Sequence, residues 1–333
     1  MLDMKRREFI TLLGSAAAWP LVARAEQPAE RVRRVGALIA FGEKDLIGHA
    51  SATAFRQGLE RLGWVEGRNI QVDYRFASGD PALYKTYAAE LVGLSPDAIL
   101  AGASPAVTVL KPLTRTIPIV FVLVADPVGQ GFVQSLARPG GNITGFSVYD
   151  APMMGKWLGL FKEIAPGVKR VAVIFNPDTA PFANLFNRAI EAAAQSLGVT
   201  VTLAPVHDDA AIEAAVAAQA FQPGGGVIVL PESFSVTHRK TIIGAAARHH
   251  LPTFGMNDVF PRDGGLMSYW IDTVDTYAQG ASYIDRILKG ANPAALPIQQ
   301  PTKFLLILNL KTAKALGLDV PLHLQQLADE VIE

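Results

Sequence analysis

The chain has 333 residues, with 30 basic and 30 acidic side chains, no cysteine and a hydrophobic content of 50%. A formal net charge of zero argues against nucleic acid or an anionic membrane as the main partner, because both select a basic surface. The lack of cysteine excludes disulfides, thiolate metal sites, cysteine nucleophiles and the lipidated cysteine of bacterial lipoproteins. The length and the hydrophobic content predict two domains with sizeable cores.

The first 25 residues have the features of a signal peptide. The pair Arg6-Arg7 precedes an uncharged run over residues 9–22, and Ala23-Arg24-Ala25 has the small-x-small pattern of a cleavage site. The run of 14 residues is shorter than the ~20 needed to span a bilayer. The paired arginines further resemble a twin-arginine signal, although a buried N-terminal helix is the alternative. Cleavage would leave 308 residues with 26 basic and 28 acidic side chains, and we expect a periplasmic protein without a lipid anchor.

Short apolar runs then alternate with helical patterns. Residues 35–41 form a nearly continuous apolar run, which is typical of a buried parallel strand. The helical spacing of Ala52, Phe55 and Leu59, followed by Gly63, predicts the next helix. Similar runs predict strands at residues 70–74, 98–101 and 117–124.

A second series of the same kind begins at residues 170–175. Its first helix is predicted by the spacing of Phe182, Phe186 and Ile190, and later strands are predicted at residues 199–203, 226–230, 253–256 and 266–270. A late helix at residues 273–289 and a last strand at 304–308 follow both series, so we expect the chain to cross between the two units more than once. The sequence therefore predicts an α/β protein with two doubly wound parallel-sheet lobes joined by a hinge.

The histidines raise the possibility of a metal site, and one serine raises that of a hydrolase, but the spacing of these residues favours neither. None of the six histidines has the H-E-x-x-H arrangement, and the adjacent His249 and His250 would diverge by about 100° on a helix. We therefore expect no metal and no other cofactor. The segment Gly102-Ala-Ser104-Pro-Ala106 matches a nucleophile elbow only in part. An N-cap at Ser104 with Pro105 as the first helical residue explains it equally, and a hydrolase that uses Ser104 is a remaining alternative.

Polar residues follow the predicted carboxyl ends of strands in both series. Ligands bind at this edge of open α/β sheets, where helix N-termini present free N–H groups to anions. The polar groups lie at residues 42–44, 77–80, 103–104, 125–127, 176–178, 231–233 and 257–258. Each residue can also be a helix cap, and Asp126-Pro127 in particular is typical of a helix start. Two such rims facing one another predict a cleft for a small molecule.

Several segments resemble the ABC transporter substrate-binding family that includes tryptophan- and tyrosine-binding exported proteins. The most distinctive are residues 117–128, which contain Asp126-Pro-Val128, and residues 135–147, which contain Arg138-Pro-Gly-Gly-Asn142. Further matches lie at residues 55–59, 62–70, 171–177, 301–304 and 309–318, so the likeness runs from about residue 33 to the C-terminus. The resemblance implies a type I periplasmic-binding fold with two lobes, three crossovers and closure on a ligand.

The same resemblance implies a ligand site in the cleft. The candidate residues are Phe41, Glu43, Ser78, Ser104, Asp126, Ser147, Tyr149, Asn176, Glu232, Ser233, Asn257 and Tyr269. Among them, Ser78 and Ser104 would contact a ligand carboxylate together with helix-start N–H groups, and Asp126 or Glu232 would contact an ammonium. The aromatic members, Phe41, Tyr149 and Tyr269, would stack on the ligand body. Trp270 stands where many relatives carry a glycine, so the identity of the ligand does not transfer.

These inferences predict an exported solute receptor that delivers an amino-acid-like or aromatic carboxylate ligand to the membrane permease of an ABC importer. We expect a monomer without catalytic activity and without a nucleic-acid partner. A periplasmic sensor subunit that docks on a receptor kinase is the main alternative. The lobes are predicted at residues 31–147 with 270–298, and at residues 148–269 with 299–333.

Overall fold

A computed structural model of the chain describes residues 31–148, 153–255 and 257–333. The predicted signal peptide and the candidate ligand contact Tyr149 lie outside the described residues. Within those ranges, no helix combines the length and the apolar character that crossing a membrane requires.

The first sheet has five parallel strands in the order β2-β1-β3-β4-β5. The strands are β1 (Arg33–Ile39), β2 (Ile70–Phe76), β3 (Ala98–Gly102), β4 (Ile119–Val124) and β5 (Ile143–Ser147). The helices α1 (Leu46–Arg61), α2 (Pro81–Gly93) and α3 (Ala103–Leu110) follow β1, β2 and β3. Every residue of the central strand β3 is buried, as expected for a parallel sheet covered on both faces. We call the elements packed on this sheet the first lobe.

The second sheet has seven strands in the order β12-β11-β10-β9-β8-β6-β7. They are β6 (Arg170–Phe175), β7 (Thr200–Pro205), β8 (Gly225–Val229), β9 (Thr253–Gly255), β10 (Met267–Trp270), β11 (Leu305–Asn309) and β12 (Glu330–Ile332). Neighbouring strands are parallel except for β10 and β11, which are antiparallel. The order β7-β6-β8-β9-β10 repeats the topology of the first sheet. We call the elements packed on this sheet the second lobe.

The remaining helices complete the layers around the two sheets. They are α4 (Met153–Ile164), α5 (Ala183–Leu197), α6 (Asp209–Ala220), α7 (Ser233–Thr237), α8 (Arg239–Arg248), α9 (Val259–Arg262), α10 (Thr273–Leu288), α11 (Leu310–Ala315) and α12 (Leu322–Leu327). Although α10 follows the second series, it packs on α1 of the first lobe. The approach is close because Gly58 carries no side chain: a β-carbon there would lie 2.8 Å from Cβ of Ala281.

The doubly wound α/β architecture predicted from the sequence is confirmed. Each predicted strand is present, and its described boundaries lie within two residues of the prediction. Two strands, β5 and β12, were not predicted. Two helix-start interpretations are wrong. First, α3 begins at Ala103 with Gly102 as its N-cap, so Ser104 is not the cap. Second, Asp126-Pro127 opens a hydrogen-bonded turn instead of a helix, with Gln130 N donating to Asp126 O at 3.0 Å.

The chain passes between the lobes three times, after β5, after β10 and before β11. The first and third crossovers run side by side, because Ser147 N donates to Gln299 O (2.9 Å) and Gln299 N donates to Gly145 O (3.0 Å). We propose the sequence-based ranges as the bounds of the lobes, with one refinement. Trp270 pairs with Leu305 as the last residue of β10, so the second crossover begins after it.

Candidate functional site

A small cavity lies between the lobes, where the carboxyl ends of strands from both sheets meet. Its described walls are Phe41, Ile47, Ala103 and Leu123 from the first lobe, Pro231, Glu232, Ser233, Val236 and Asn257 from the second, and Trp270 and Thr273 at the second crossover. The cavity measures about 30 Å³, which is close to the volume that one water molecule occupies in the liquid. Ligand pockets measure ~300–1,000 Å³, so the cavity is too small for a ligand while the lobes are in this closed arrangement, and a ligand requires them to move apart.

The rim of the first lobe is built from unusual backbone. Ser78, Ala103, Leu123 and Asp126 all have positive φ, at 53°, 67°, 60° and 38°. Non-glycine residues adopt this conformation at a cost of ~1–3 kcal/mol, and such residues concentrate at functional sites. The pairing of β4 with β5 also shifts its register beside Leu123, which turns that side chain into the cavity. Three of these positions, Ser78, Ala103 and Asp126, belong to the rim that the sequence predicts, and Leu123 lies near the end of β4 beside it.

The N-terminus of α3 meets the cavity through Ala103. Its N-cap, Gly102, provides no side-chain hydrogen bond to the helix in the described structure. Ser104 is 1% exposed, and its Oγ accepts a hydrogen bond from Gln130 Nε2 at 3.0 Å. The first turn of a helix carries a partial positive charge and unpaired N–H groups. The wall of the first lobe therefore offers a favourable environment for a negative charge.

Glu232 occupies the equivalent place in the second lobe, at the start of α7. Oε1 accepts hydrogen bonds from Asn176 N (3.3 Å), Ser235 N (2.8 Å) and Ser235 Oγ. Oε2 accepts from Phe234 N (2.6 Å) and from Thr179 Oγ1. Five donors thus converge on a side chain that is 4% exposed.

The electrostatics of Glu232 follow from this enclosure. Burial raises the pKa of Glu232, and the hydrogen bonds from Ser235 and Thr179 counteract part of that rise because they favour the carboxylate. The carboxylate caps α7 and ties it to the turn after β6. In the closed structure, Glu232 therefore acts inside its own lobe.

Two aromatic side chains line the cavity. Phe41 and Trp270 are each 6% exposed. Trp270 is held by a hydrogen bond from its Nε1 to Thr273 Oγ1 (3.1 Å), and its ring centroid lies 6.3 Å from that of Trp157. Trp270 is the residue that the sequence identified as a departure from the family, and the structure places it in the wall.

Tyr269 lies elsewhere. Its ring stacks on Phe304 with a centroid separation of 5.3 Å, and Lys156 Nζ lies 4.3 Å from the ring centroid and 2.5 Å from its hydroxyl oxygen. The structure thus places the Tyr269 ring against α4 and the third crossover, away from the cavity wall.

The other candidates fall into three groups. The wall contains Ser233 and Asn257; Asn257 Oδ1 accepts from Phe260 N at 2.8 Å, and Ser233 Oγ accepts from Tyr84 Oη at 3.1 Å. Two candidates support neighbouring backbone: Ser147 Oγ donates to Gln299 O in the hinge, and Asn176 Oδ1 accepts from Asp178 N. The exposed Glu43 and the half-buried Ser78 and Asp126 lie outside the cavity wall.

Sequence reasoning did not name several apolar wall residues as ligand contacts. Ile47, Leu123, Pro231 and Val236 read as ordinary core or loop residues in the sequence, and only closure of the lobes brings them together. Of these four residues, only Pro231 could have been placed near the site from the sequence, because it directly follows a predicted strand.

Polar contacts join the lobes around the cavity. Arg239 of α8 is buried and donates through Nη1 to Asp45 Oδ2 in the first lobe (2.9 Å) and through Nε to Asp263 Oδ2 in the second (2.7 Å). Thr237 Oγ1 donates to Ser78 O across the lobes at 3.3 Å. Gly79 approaches so closely that a β-carbon there would lie 2.8 Å from Phe234 N. The contacts of Asp45, Ser78 and Gly79 with the second lobe depend on the closed arrangement, whereas the bond from Arg239 to Asp263 lies within the second lobe.

Comparisons with known proteins agree with this architecture. The sequence model of a family described as "ABC transporter substrate binding protein" matches residues 37–332. A tyrosine-binding protein of Clostridioides difficile (strain R20291) is 34% identical over 140 residues, which is 41% of this chain and 40% of that protein. The alignment therefore spans less than half the length of that relative.

Two solved structures extend the likeness over most of the chain. A conserved domain protein of Vibrio cholerae O1 biovar El Tor is 29% identical, with a TM-score of 0.83 over 90% of this chain and 100% of that one. A Streptococcus pneumonia ABC domain in complex with L-Trp shares the fold at 24% identity, with a TM-score of 0.82 over 90% of this chain and 99% of that one. The chain belongs to the ABC transporter substrate-binding protein family and has a type I periplasmic-binding fold.

Proposed function

We propose that this protein captures a small amino-acid-like or aromatic carboxylate ligand between its lobes and delivers it to the membrane permease of an ABC importer. The observation that carries the proposal is the interlobe cavity, where strand ends of both sheets meet and contacts such as Arg239–Asp45 hold the lobes together. A ligand that binds between the lobes stabilises the closed form by its differential affinity for that form. The closed form is then the state that a permease recognises.

The proposed ligand contacts come from both lobes. The carboxylate lies at the start of α3, where Ala103 lines the cavity and the first N–H groups of the helix have no partner within it. The apolar body lies between Phe41 and Trp270. Ser78 of the rim and Asn257 of the second lobe complete the site when the lobes close on the ligand. The tyrosine-binding relative and the L-Trp-bound neighbour support a ligand of this class.

The setting of this activity is also part of the proposal. The N-terminal segment exports the chain to the periplasm, where it acts as a monomer and without nucleic acid. The proposed function involves no catalysis, and the hydrogen bond from the Gln130 amide to Ser104 Oγ disfavours the hydrolase alternative, since an amide cannot serve as the general base for that hydroxyl. A sensor subunit would close on its ligand in the same way and would differ only in the membrane partner that binds the closed form.

Thermal unfolding of residues 26–333 with a panel of amino acids, aromatic acids and small neutral compounds tests the proposal. A ligand at 100 times its Kd adds ~2.7 kcal/mol to the stability of the folded state. We expect a clear rise in Tm with one compound class and no consumption of the compound. Turnover of any compound would contradict a pure receptor, and a flat panel would contradict the ligand class.

A further inference from the structure

We infer that the ligand is an apolar or aromatic carboxylate that carries no ammonium group. This inference rests on the proposed function and selects one of the two ligand classes that the resemblance left open. Its basis is the saturation of the only charged side chain on the described cavity wall, Glu232.

A carboxylate can accept about four hydrogen bonds in good geometry, because each oxygen offers two lone pairs. Glu232 already receives five, three at Oε1 and two at Oε2, all from residues of its own lobe. Three of these donors are backbone N–H groups, at Asn176, Phe234 and Ser235, and they stay in place when the lobes separate. A ligand ammonium would therefore have to displace a structural donor to reach Glu232.

The rest of the described wall contains no substitute acid. Its other polar members, Ser233, Asn257 and Thr273, are neutral, and the remaining members are apolar or aromatic. The nearby acids Asp126 and Glu43 are half-buried and exposed, respectively, and do not line the cavity. An ammonium on the ligand would lose its hydration in the closed cleft without gaining a free charged partner from the described wall.

The opposite wall disfavours an ammonium as well. The start of α3 presents the positive end of a helix, which attracts a carboxylate and repels a cation. An amino acid bound by its carboxylate at this point would place its ammonium only two bonds away from the carboxyl carbon, close to the same positive helix end. The matching acid without the amine keeps every favourable contact and avoids this repulsion.

Matched ligand pairs test the inference directly. Calorimetry of residues 26–333 is performed with L-phenylalanine against 3-phenylpropionate, L-tyrosine against 3-(4-hydroxyphenyl)propionate, and L-tryptophan against indole-3-propionate. Since an unsatisfied buried polar group weakens binding roughly ten- to a hundredfold, we expect the acid without the amine to bind tighter by that factor in at least one pair. 3-Phenylpropanamide, which lacks the negative charge, should bind more weakly than 3-phenylpropionate.

A variant pair probes the role of Glu232. Thr179→Val removes one donor from Oε2 and frees a lone pair for an ammonium, so the preference for the acid over the amino acid should shrink. Thr237→Val is the matched control, because its hydroxyl donates to Ser233 O and Ser78 O and does not touch Glu232. The control should keep the wild-type ratio of the two Kd values.

The outcomes separate this inference from the proposed function. If an amino acid binds tighter than its amine-free partner, the inference is overturned and the receptor function stands. If only neutral or cationic compounds bind, the inference is likewise overturned and the receptor function stands. If no compound of the wider panel binds, both the inference and the proposed ligand class fail.

Discussion

Asp45 and Asp263 bind the same arginine, but only Asp45 does so across the cleft, and this difference yields a sharp test of closure. Asp45 Oδ2 accepts from Arg239 Nη1 at 2.9 Å, while its Oδ1 accepts from Ile47 N and caps α1. Replacing Asp45 by Asn removes the interlobe charge pair and keeps a side chain that caps helices equally well. Arg239 retains Asp263 and Val236 O as partners, so no buried charge is left without compensation.

The expected magnitude follows from the burial of the pair. The side chain of Arg239 is 6% exposed and that of Asp45 is 24% exposed. A hydrogen bond to a charged group contributes ~1.5–3 kcal/mol to stability. Because the Asp45 side chain is partly exposed to solvent, we expect a smaller contribution of ~1–2 kcal/mol. Asp45→Asn should therefore shift the equilibrium from the closed to the open form about 5- to 30-fold, and the affinity for a ligand that requires closure should fall by up to the same factor.

Distance measurement between labels on the two lobes provides the assay. Because the chain has no cysteine, Lys85→Cys in α2 and Lys240→Cys in α8 create one unique pair of exposed labelling sites. Asp45→Asn should raise the population of long distances. The control, Asp263→Asn, breaks a bond inside the second lobe, so it should lower Tm and leave the distances unchanged. The reasoning is refuted if both variants open the cleft equally, or if Asp45→Asn changes neither distances nor affinity.

Three further predictions follow from single residues. Gly79→Ala should weaken ligand binding in calorimetry because its β-carbon would lie 2.8 Å from Phe234 N at the start of α7 and would prevent full closure. The control is Gly131→Ala, which has a similar φ (69° against 71°) and no atom within 4 Å of the added β-carbon. The control should keep the affinity and lower the stability by only the ~1–2 kcal/mol of backbone strain, seen as a fall in Tm. Glu232→Gln should lower the urea-unfolding free energy by ~1–3 kcal/mol, since its NH₂ group would face donors; an unchanged value would contradict its role as a cap. The hydrogen bond from Arg34 holds the pKa of Asp73 below its ordinary value; the unfolded chain, with a pKa of ~3.9, therefore binds the proton first as the pH falls. The stability difference between wild type and Asp73→Asn in urea should be fully present at pH 7, shrink once the pH falls below ~3.9 and disappear as the pH falls through the lower pKa of folded Asp73. A difference that does not shrink on acidification would contradict this assignment.

The sequence by itself determined the layers of the fold and the edge at which a site forms. Strands such as β3 and β8 are recognisable because a strand buried on both faces has to be apolar at every position. The late helix α10 is recognisable because its buried residues recur with helical spacing. Two strands escaped prediction for local reasons: β12 has three half-buried residues, and β5 includes a glycine and two hydroxyl residues within five positions.

Only the tertiary structure decided what the rim residues do. Glu232 stands after a strand in the sequence like any other rim residue, yet donors 53 and 56 residues away, at Thr179 and Asn176, turn it into a saturated cap. Asp45 and Arg239 are 194 residues apart, and no local pattern pairs them. The sequence marks Trp270 as unusual, but its place on the cavity wall depends on the path of the second crossover. Such contacts join distant parts of the chain, so they arise from packing of the completed lobes and not from the periodicity of any single segment.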